Sequence, residues 1–170
     1  MKIIEKMHPI FHLKCLACWF SLAFGFPSYA QQQDAIDAIY VFSDSNTISG
    51  LSSEGERVIT YIGNVRLTQG LMEITGDEAV VTLNSNSNEV VNALVTGNPV
   101  YFQRSSELDE PETTGNSESI EFKVRESQVV FEGDVTFNQP GIKYECGRLL
   151  YSVESDLAQG TGGCQVSIAN

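Results

Sequence analysis

Glu73, Asp77 and Glu78 lie close enough in the chain to pair as general acid and general base, the chemistry by which two carboxylates cleave a glycosidic bond. They sit among turn residues, however, and carboxylates in turns are ordinarily just solvated, so no enzyme is expected from them. Other catalytic material is scarce. Both histidines, His8 and His12, and the single tryptophan, Trp19, fall within the first 30 residues. That segment reads as a secretory signal peptide. Lys2, Lys6 and Lys14 make a basic start, an apolar stretch runs from Cys15 to Phe26, and Pro27 breaks it. Ser28-Tyr29-Ala30 then offers a small-x-small cleavage site before Gln31. The apolar run is short for a transmembrane span. An uncleaved anchor, or a lipoprotein modified at Cys18, is the rival reading, but Cys15-Leu-Ala-Cys18 lacks the usual apolar residue three before the cysteine.

With residues 1–30 removed, residues 31–170 are one domain's worth of chain. That portion has no imidazole, so it lacks the commonest general base and the commonest metal ligand, which argues against most hydrolases and zinc sites. It keeps seven of ten basic and 21 of 22 acidic residues, a formal charge of −14. Such acidity disfavours nucleic acid, whose binding needs clustered Lys and Arg to displace counterions. Two cysteines remain, Cys146 and Cys164. In an oxidising exported compartment an even pair can form a disulfide; two thiols packed as small apolar residues are equally compatible with the sequence.

The elements that would position these residues are strands. Apolar residues recur at every second position in Ile39-Val41, Ile59-Tyr61, Val65-Leu67, Met72-Ile74 and Ala79-Val81-Leu83. The same holds for Val91-Ala93-Val95, Val100-Phe102, Ile120-Phe122-Val124, Val129-Phe131, Val135-Phe137, Ile142-Tyr144 and Val166-Ile168. Period-two alternation predicts strands with one dry and one wet face. Turn residues punctuate them: Ser49-Gly50, Gly63-Asn64, Gly76-Asp77, Asn84 to Asn88, Gly97-Asn98-Pro99, Gly133-Asp134 and Gly160 to Gly163. The polar stretch 104–119 reads as a solvated hairpin loop, and residues 35–40 as at most one helical turn. The chain also repeats itself. Tyr61-Ile-Gly-Asn-Val-Arg-Leu-Thr-Gln69 returns 70 residues later as Phe131-Glu-Gly-Asp-Val-Thr-Phe-Asn-Gln139. Once a one-residue insertion around Pro140 is allowed, each copy is followed by a second short run, Leu71-Met-Glu-Ile-Thr-Gly76 or Ile142-Lys-Tyr-Glu-Cys-Gly147. A repeated strand pair cannot bury its apolar face alone and must stack on its neighbours. The fold class is therefore all-β, a stacked or rolled antiparallel structure. A solid-core structural module and a gaping roll with an apolar trough both fit that pattern.

The stretch from Val58 through Tyr61-Ile-Gly-Asn-Val65 to Val81 resembles the signature of the lipopolysaccharide-transport periplasmic bridge proteins, the OstA-like family. Ile39-Tyr-Val-Phe-Ser-Asp44, Gly97-Asn-Pro-Val-Tyr-Phe102 and Gln128-Val-Val-Phe-Glu-Gly-Asp-Val135 fit the same pattern in the same order, so the resemblance covers about residues 39–160. It implies an open, twisted β-jelly-roll in the periplasm that shields the lipid A acyl chains of lipopolysaccharide in a continuous internal groove. It also implies partners at an inner-membrane transport complex and an outer-membrane translocon, reached by edge-strand pairing, with head-to-tail self-association between copies. Neither a cofactor nor a catalytic residue is implied. Position by position, Ile39, Phe102, Phe122 and Val124 fall where the family lines its groove. Ile59, Tyr61, Met72, Ile74, Val81, Ala93 and Ile120 share the corresponding alternation phase. A membrane-anchored adaptor of the same transport system is the alternative within this resemblance, and a mature N-terminus at Gln31 would exclude it.

Overall fold

The computed structural model describes residues 38–51, 55–105 and 112–169, and the signal segment expected over 1–30 lies outside them. The period-two alternation becomes ten antiparallel strands in a single sheet: β1 (Tyr40–Phe42), β2 (Ser45–Leu51), β3 (Glu56–Gln69), β4 (Met72–Asn84), β5 (Val90–Arg104), β6 (Thr113–Lys123), β7 (Gln128–Gln139), β8 (Ile142–Ser152), β9 (Leu157–Thr161) and β10 (Gln165–Ile168). Strands β3 to β8 pair in chain order. β1 and β2 both pair with β3 at one edge, and β9 and β10 both pair with β8 at the other.

A flat sheet of this kind would leave its apolar face in water. Here the face is folded onto itself along a crease. Each ladder between long strands slips register at the same height: between Ile62 and Val65 on β3, Thr75 and Glu78 on β4, Thr96 and Val100 on β5, Asn116 and Ser119 on β6, Glu132 and Val135 on β7. Extra residues in one strand of a pair bend that strand and increase its twist. Aligned across the sheet, these bulges divide every long strand into two arms. The first layer contains β1, β10 and the segments 65–69, 72–75, 100–104, 113–116, 135–139 and 142–146. The second contains β2, β9 and the segments 56–62, 78–84, 90–96, 119–123, 128–132 and 148–152. β1 with β2, and β9 with β10, are the edge ribbons, each interrupted where the others merely bend.

The two repeat copies build the crease in the same way. Gly63 and Gly133 both have φ of 82°, followed by Asn64 at 46° and Asp134 at 45°. This is the left-handed region, which glycine enters without steric cost and Asn or Asp tolerate better than most. A carboxylate lies over each glycine, Asp44 from between β1 and β2 in the first copy and Glu118 from β6 in the second. In the first copy Asn64 Nδ2 donates to Asp44 Oδ2 at 2.8 Å, and the Asp44 amide donates to the Gly63 carbonyl at 2.9 Å.

Three expectations from the sequence are corrected. Gly63-Asn64, Gly76-Asp77, Gly97-Asn98-Pro99 and Gly133-Asp134 do not separate strands; they are bulges inside continuous ones. The stretch 104–119 is not one loop, because β6 begins at Thr113 and its Thr113, Gly115 and Ser117 are buried. Ser49 lies within β2 and Gly160 within β9, two edge strands with few apolar residues to announce them. Tyr40, at the end of the expected helical turn, opens β1, while residues 35–37 lie outside the described residues.

Candidate functional site

The interior between the two layers is the site to which the sequence pointed. All eleven candidate residues occupy positions on its inward face. Met72, Ile74 and Phe102 project from the first layer, and Val81, Ala93, Ile120 and Phe122 from the second, all seven buried. Ile39, Tyr61 and Val124 are half-buried and pack against them, and Ile59 joins this face through its pairing with Val81. The inward phase switches at the crease. In β4 it passes from Met72 and Ile74 to Ala79 and Val81, and in β5 from Ala93 and Val95 to Val100 and Phe102. A second slip, between Thr82 and Leu83, turns Val90 rather than Val91 inward. The carboxylates alternate outward: Glu121, Glu132 and Glu145 pair there with Lys123, Arg148 and Lys143. Glu73 and Glu78 also hold outward phases on β4, and Asp77 is exposed at the crease. The trio therefore faces water, not the apolar interior.

The lining differs along its length. Toward β1 and β2 it is aliphatic apart from Tyr61. Toward β8 it is aromatic, with Phe102, Phe131, Phe137, Tyr144 and Tyr151 in mutual contact. Phe102 of the first layer meets Phe131 of the second with centroids 5.3 Å apart, edge to face, and meets Tyr151 at 5.7 Å. Phe137 lies 5.1 Å from Tyr151. Gly115 makes room for this cluster, since a Cβ there would come within 2.9 Å of both the Phe131 and Phe137 rings. Gln69 pairs with Met72 and Gln139 with Ile142, so the repeat continues without the insertion expected around Pro140, and Leu149 and Tyr151, absent from the sequence expectations, stand where Ala79 and Val81 stand in the first copy.

At this level the side chains interlock. Ile74, Phe131, Phe137, Leu149 and Tyr151 are wholly buried, so the groove expected from the resemblance is a closed apolar seam rather than a vacant channel. Closure has a simple cause: every square ångström of apolar wall left facing water costs about 25 cal/mol. Room remains at the rims, where the free ends of the two layers meet. A cleft of about 710 Å³ runs between Ala38, Ile39 and Gln69 of the first rim, beside β1, and a second rim that extends from Val90 through Val124 to Ser127 and Glu154. Farther along, the rims are tied together. Arg104 Nη1, from the first layer, donates to Tyr151 Oη at 2.8 Å and approaches Asp156 Oδ1 at 3.3 Å. Tyr151 Oη donates to Asp156 Oδ1 at 2.6 Å, and Gln139 Nε2 donates to the Asp156 carbonyl at 3.0 Å. Burial, then the bond to Asp156, pushes the Tyr151 hydroxyl up to about 12.

Among the described residues, nothing covers the seam at either end. Ile48 on β2 pairs with Ile59 and so shares the inward face, yet it is 63% exposed. Val166 and Ile168 on β10 pair with Tyr144 and Ile142 and are 49% and 71% exposed. Between β9 and β10, Cys164 is joined to Cys146 of β8 by a disulfide at the crease, which staples the last ribbon to the sheet.

Comparison with known proteins gives the same picture. Residues 40–156 match the family model described as "LptA/(LptD N-terminal domain) LPS transport protein". The chain is 26% identical to the lipopolysaccharide export system protein LptA of Escherichia coli K12 over 140 residues, 81% of this chain and 72% of that protein. It is 25% identical to the lipopolysaccharide export system protein LptH of Pseudomonas aeruginosa over 158 residues, 92% and 83% of the respective chains. A crystal structure of LptH, titled the LptA homologous periplasmic component of the conserved lipopolysaccharide transport device, superposes with a TM-score of 0.65 at 23% identity, covering 79% of this chain and 96% of that one. That superposition establishes the same rolled fold.

Proposed function

The chain belongs to the LptA/(LptD N-terminal domain) LPS transport protein family, and from that premise we propose that it is a periplasmic carrier of lipopolysaccharide bridging the inner and outer membranes. Its inward residues shield the acyl chains. The observation that carries this reading is the uncapped seam: an apolar face that runs through the molecule and emerges at Ile48 on one side and at Val166 and Ile168 on the other. A self-contained core would end in polar residues. This one continues to both edge ribbons, where a second copy or a partner could add strands by β-augmentation and prolong it.

The mechanism needs no bond to be made or broken. The ladders run within each layer, and across the interior the layers meet through side chains, so they can part by flexing at the crease while their backbone pairing persists. Each inward side chain then exchanges an apolar neighbour for an acyl methylene. Burying a methylene is worth about 0.8 kcal/mol, so a twelve-carbon chain has on the order of 10 kcal/mol at stake. Successive stretches of the seam are chemically alike, which keeps the cost of moving between them low. Outward acidic residues stay clear of the lipid phosphates. Export through a signal peptide over residues 1–30, and pairing through β1 and β10 with membrane partners or further copies, complete the proposal.

Photocrosslinkers at Phe102 and Phe122 test it. Adducts to lipopolysaccharide are expected from both positions. The interlocked aromatic cluster favours a second reading, a structural β module with a permanently solid core. Absence of adducts from both, with the fold intact, would leave that reading standing.

A further inference from the structure

The two rims of the roll are treated differently along its length. Where β1 lies on the first rim they stand apart around a cleft of about 710 Å³ whose apolar wall includes Ile39, Val90 and Val124 and whose far end reaches Glu154, next to the clasp. On the β8 side they are joined by Arg104, Tyr151, Asp156 and Gln139, groups drawn from opposite layers and up to 52 residues apart in sequence. This polar clasp lies directly over the aromatic cluster, because Tyr151 contributes its ring to the cluster and its hydroxyl to the clasp.

Resting on the carrier reading, we infer that the Arg104–Tyr151–Asp156 clasp is a gate on the open side of the roll, which must release before a lipid lodged at the Val124 cleft can advance toward β10. A glycolipid whose tails lie between the layers keeps its sugars outside, so its neck must pass between the rims. The cleft already offers that passage. At the clasp the way is barred by the bonds that cross the rims, Arg104 to Tyr151 Oη and to Asp156 Oδ1 and Gln139 to the Asp156 carbonyl, while the Tyr151–Asp156 bond holds the two acceptors of the second rim together. Removing one member leaves the others with fewer partners and shifts the balance toward parted rims, at a cost far below that of breaking the apolar seam. Asp156 is exposed and Arg104 partly so; water can therefore replace the clasp bonds as they open, as a gate that cycles requires.

The test places benzoylphenylalanine at Val124 in one set of proteins and at Tyr144 in another, and follows the rate of adduct formation after lipopolysaccharide is added. Each set includes the wild-type background, Tyr151→Phe, Asp156→Asn, and Arg148→Gln as a control that breaks an outward ion pair at 2.9 Å. Tyr151→Phe keeps the ring in the cluster. The expected result is adduct formation at Tyr144 about five-fold faster in Tyr151→Phe and Asp156→Asn, with the Val124 rate and the Arg148→Gln proteins unchanged. Equal Tyr144 rates in all backgrounds, with Val124 still reacting, overturn the gate and leave the carrier reading intact. A rise at Val124 equal to that at Tyr144 means general loosening and also overturns it. No adduct at either position in the wild-type background sinks the carrier reading and the gate with it.

Discussion

The β3–β4 half and the β7–β8 half are copies of one sequence motif, yet they close the roll by different means. Both bend at a Gly-Asn or Gly-Asp bulge with matching backbone angles. Three inward positions diverge: Leu67, Ile74 and Val81 are aliphatic, whereas their counterparts Phe137, Tyr144 and Tyr151 are aromatic. The aromatic half adds a clasp at its rim and a disulfide at its crease; in the aliphatic half the Gln69 end of β3 borders the cleft. The bend is therefore set by the repeat, and the ease of opening by what hangs inside it.

The largest expected difference between the halves is in core truncation. Phe137→Ala removes the ring at the centre of the aromatic cluster and should cost about 3–5 kcal/mol in urea unfolding, against about 1–2 kcal/mol for Ile59→Ala in the half-buried aliphatic lining. Equal losses would erase the distinction. Next comes the staple. Replacing Cys146 and Cys164 with serine frees a loop closed over a sequence separation of 18 and should cost about 3 kcal/mol. Fraying should concentrate in β9 and β10, which amide hydrogen exchange can locate. The smallest effect is at the clasp: Tyr151→Phe should lose about 1 kcal/mol at neutral pH. It has a pH signature. The Tyr151 hydroxyl is raised from 10.0 to about 12 in the folded chain, so between those values the folded state holds a proton that the unfolded state has lost. Its contribution is complete below pH 10.0 and fades as pH climbs toward about 12. The stability gap between wild type and Tyr151→Phe should shrink over that window, and a gap independent of pH would show that the hydroxyl does not hold the rims.

Much of this was legible in the chain because burial alternates with period two, and the repeat places Tyr61 and Phe131, or Val65 and Val135, on one face. The inward phase of all eleven candidate residues follows from that rule. The bulges were misread as turns because Gly-Asn and Gly-Asp supply the left-handed conformations that hairpins and bulges both use, and only cross-strand register tells them apart. β6 was hidden because Thr113, Gly115 and Ser117 carry no apolar signal; Gly115 is buried because rings from other strands lie on it. The clasp had no local signature, since Arg104 and Asp156 meet only when the crease brings the rims together.

The central claim is that acyl chains lie between the layers, against inward side chains. Intermolecular NOEs between lipopolysaccharide acyl methylenes and methyl-labelled protein test it most directly. The account predicts contacts to Ile74, Ile120 and Val124, which face inward, and none to Ile62 and Leu94, which are exposed on the outer face. Bound lipid whose contacts fall on Ile62 and Leu94, with the inward methyls silent, would contradict it.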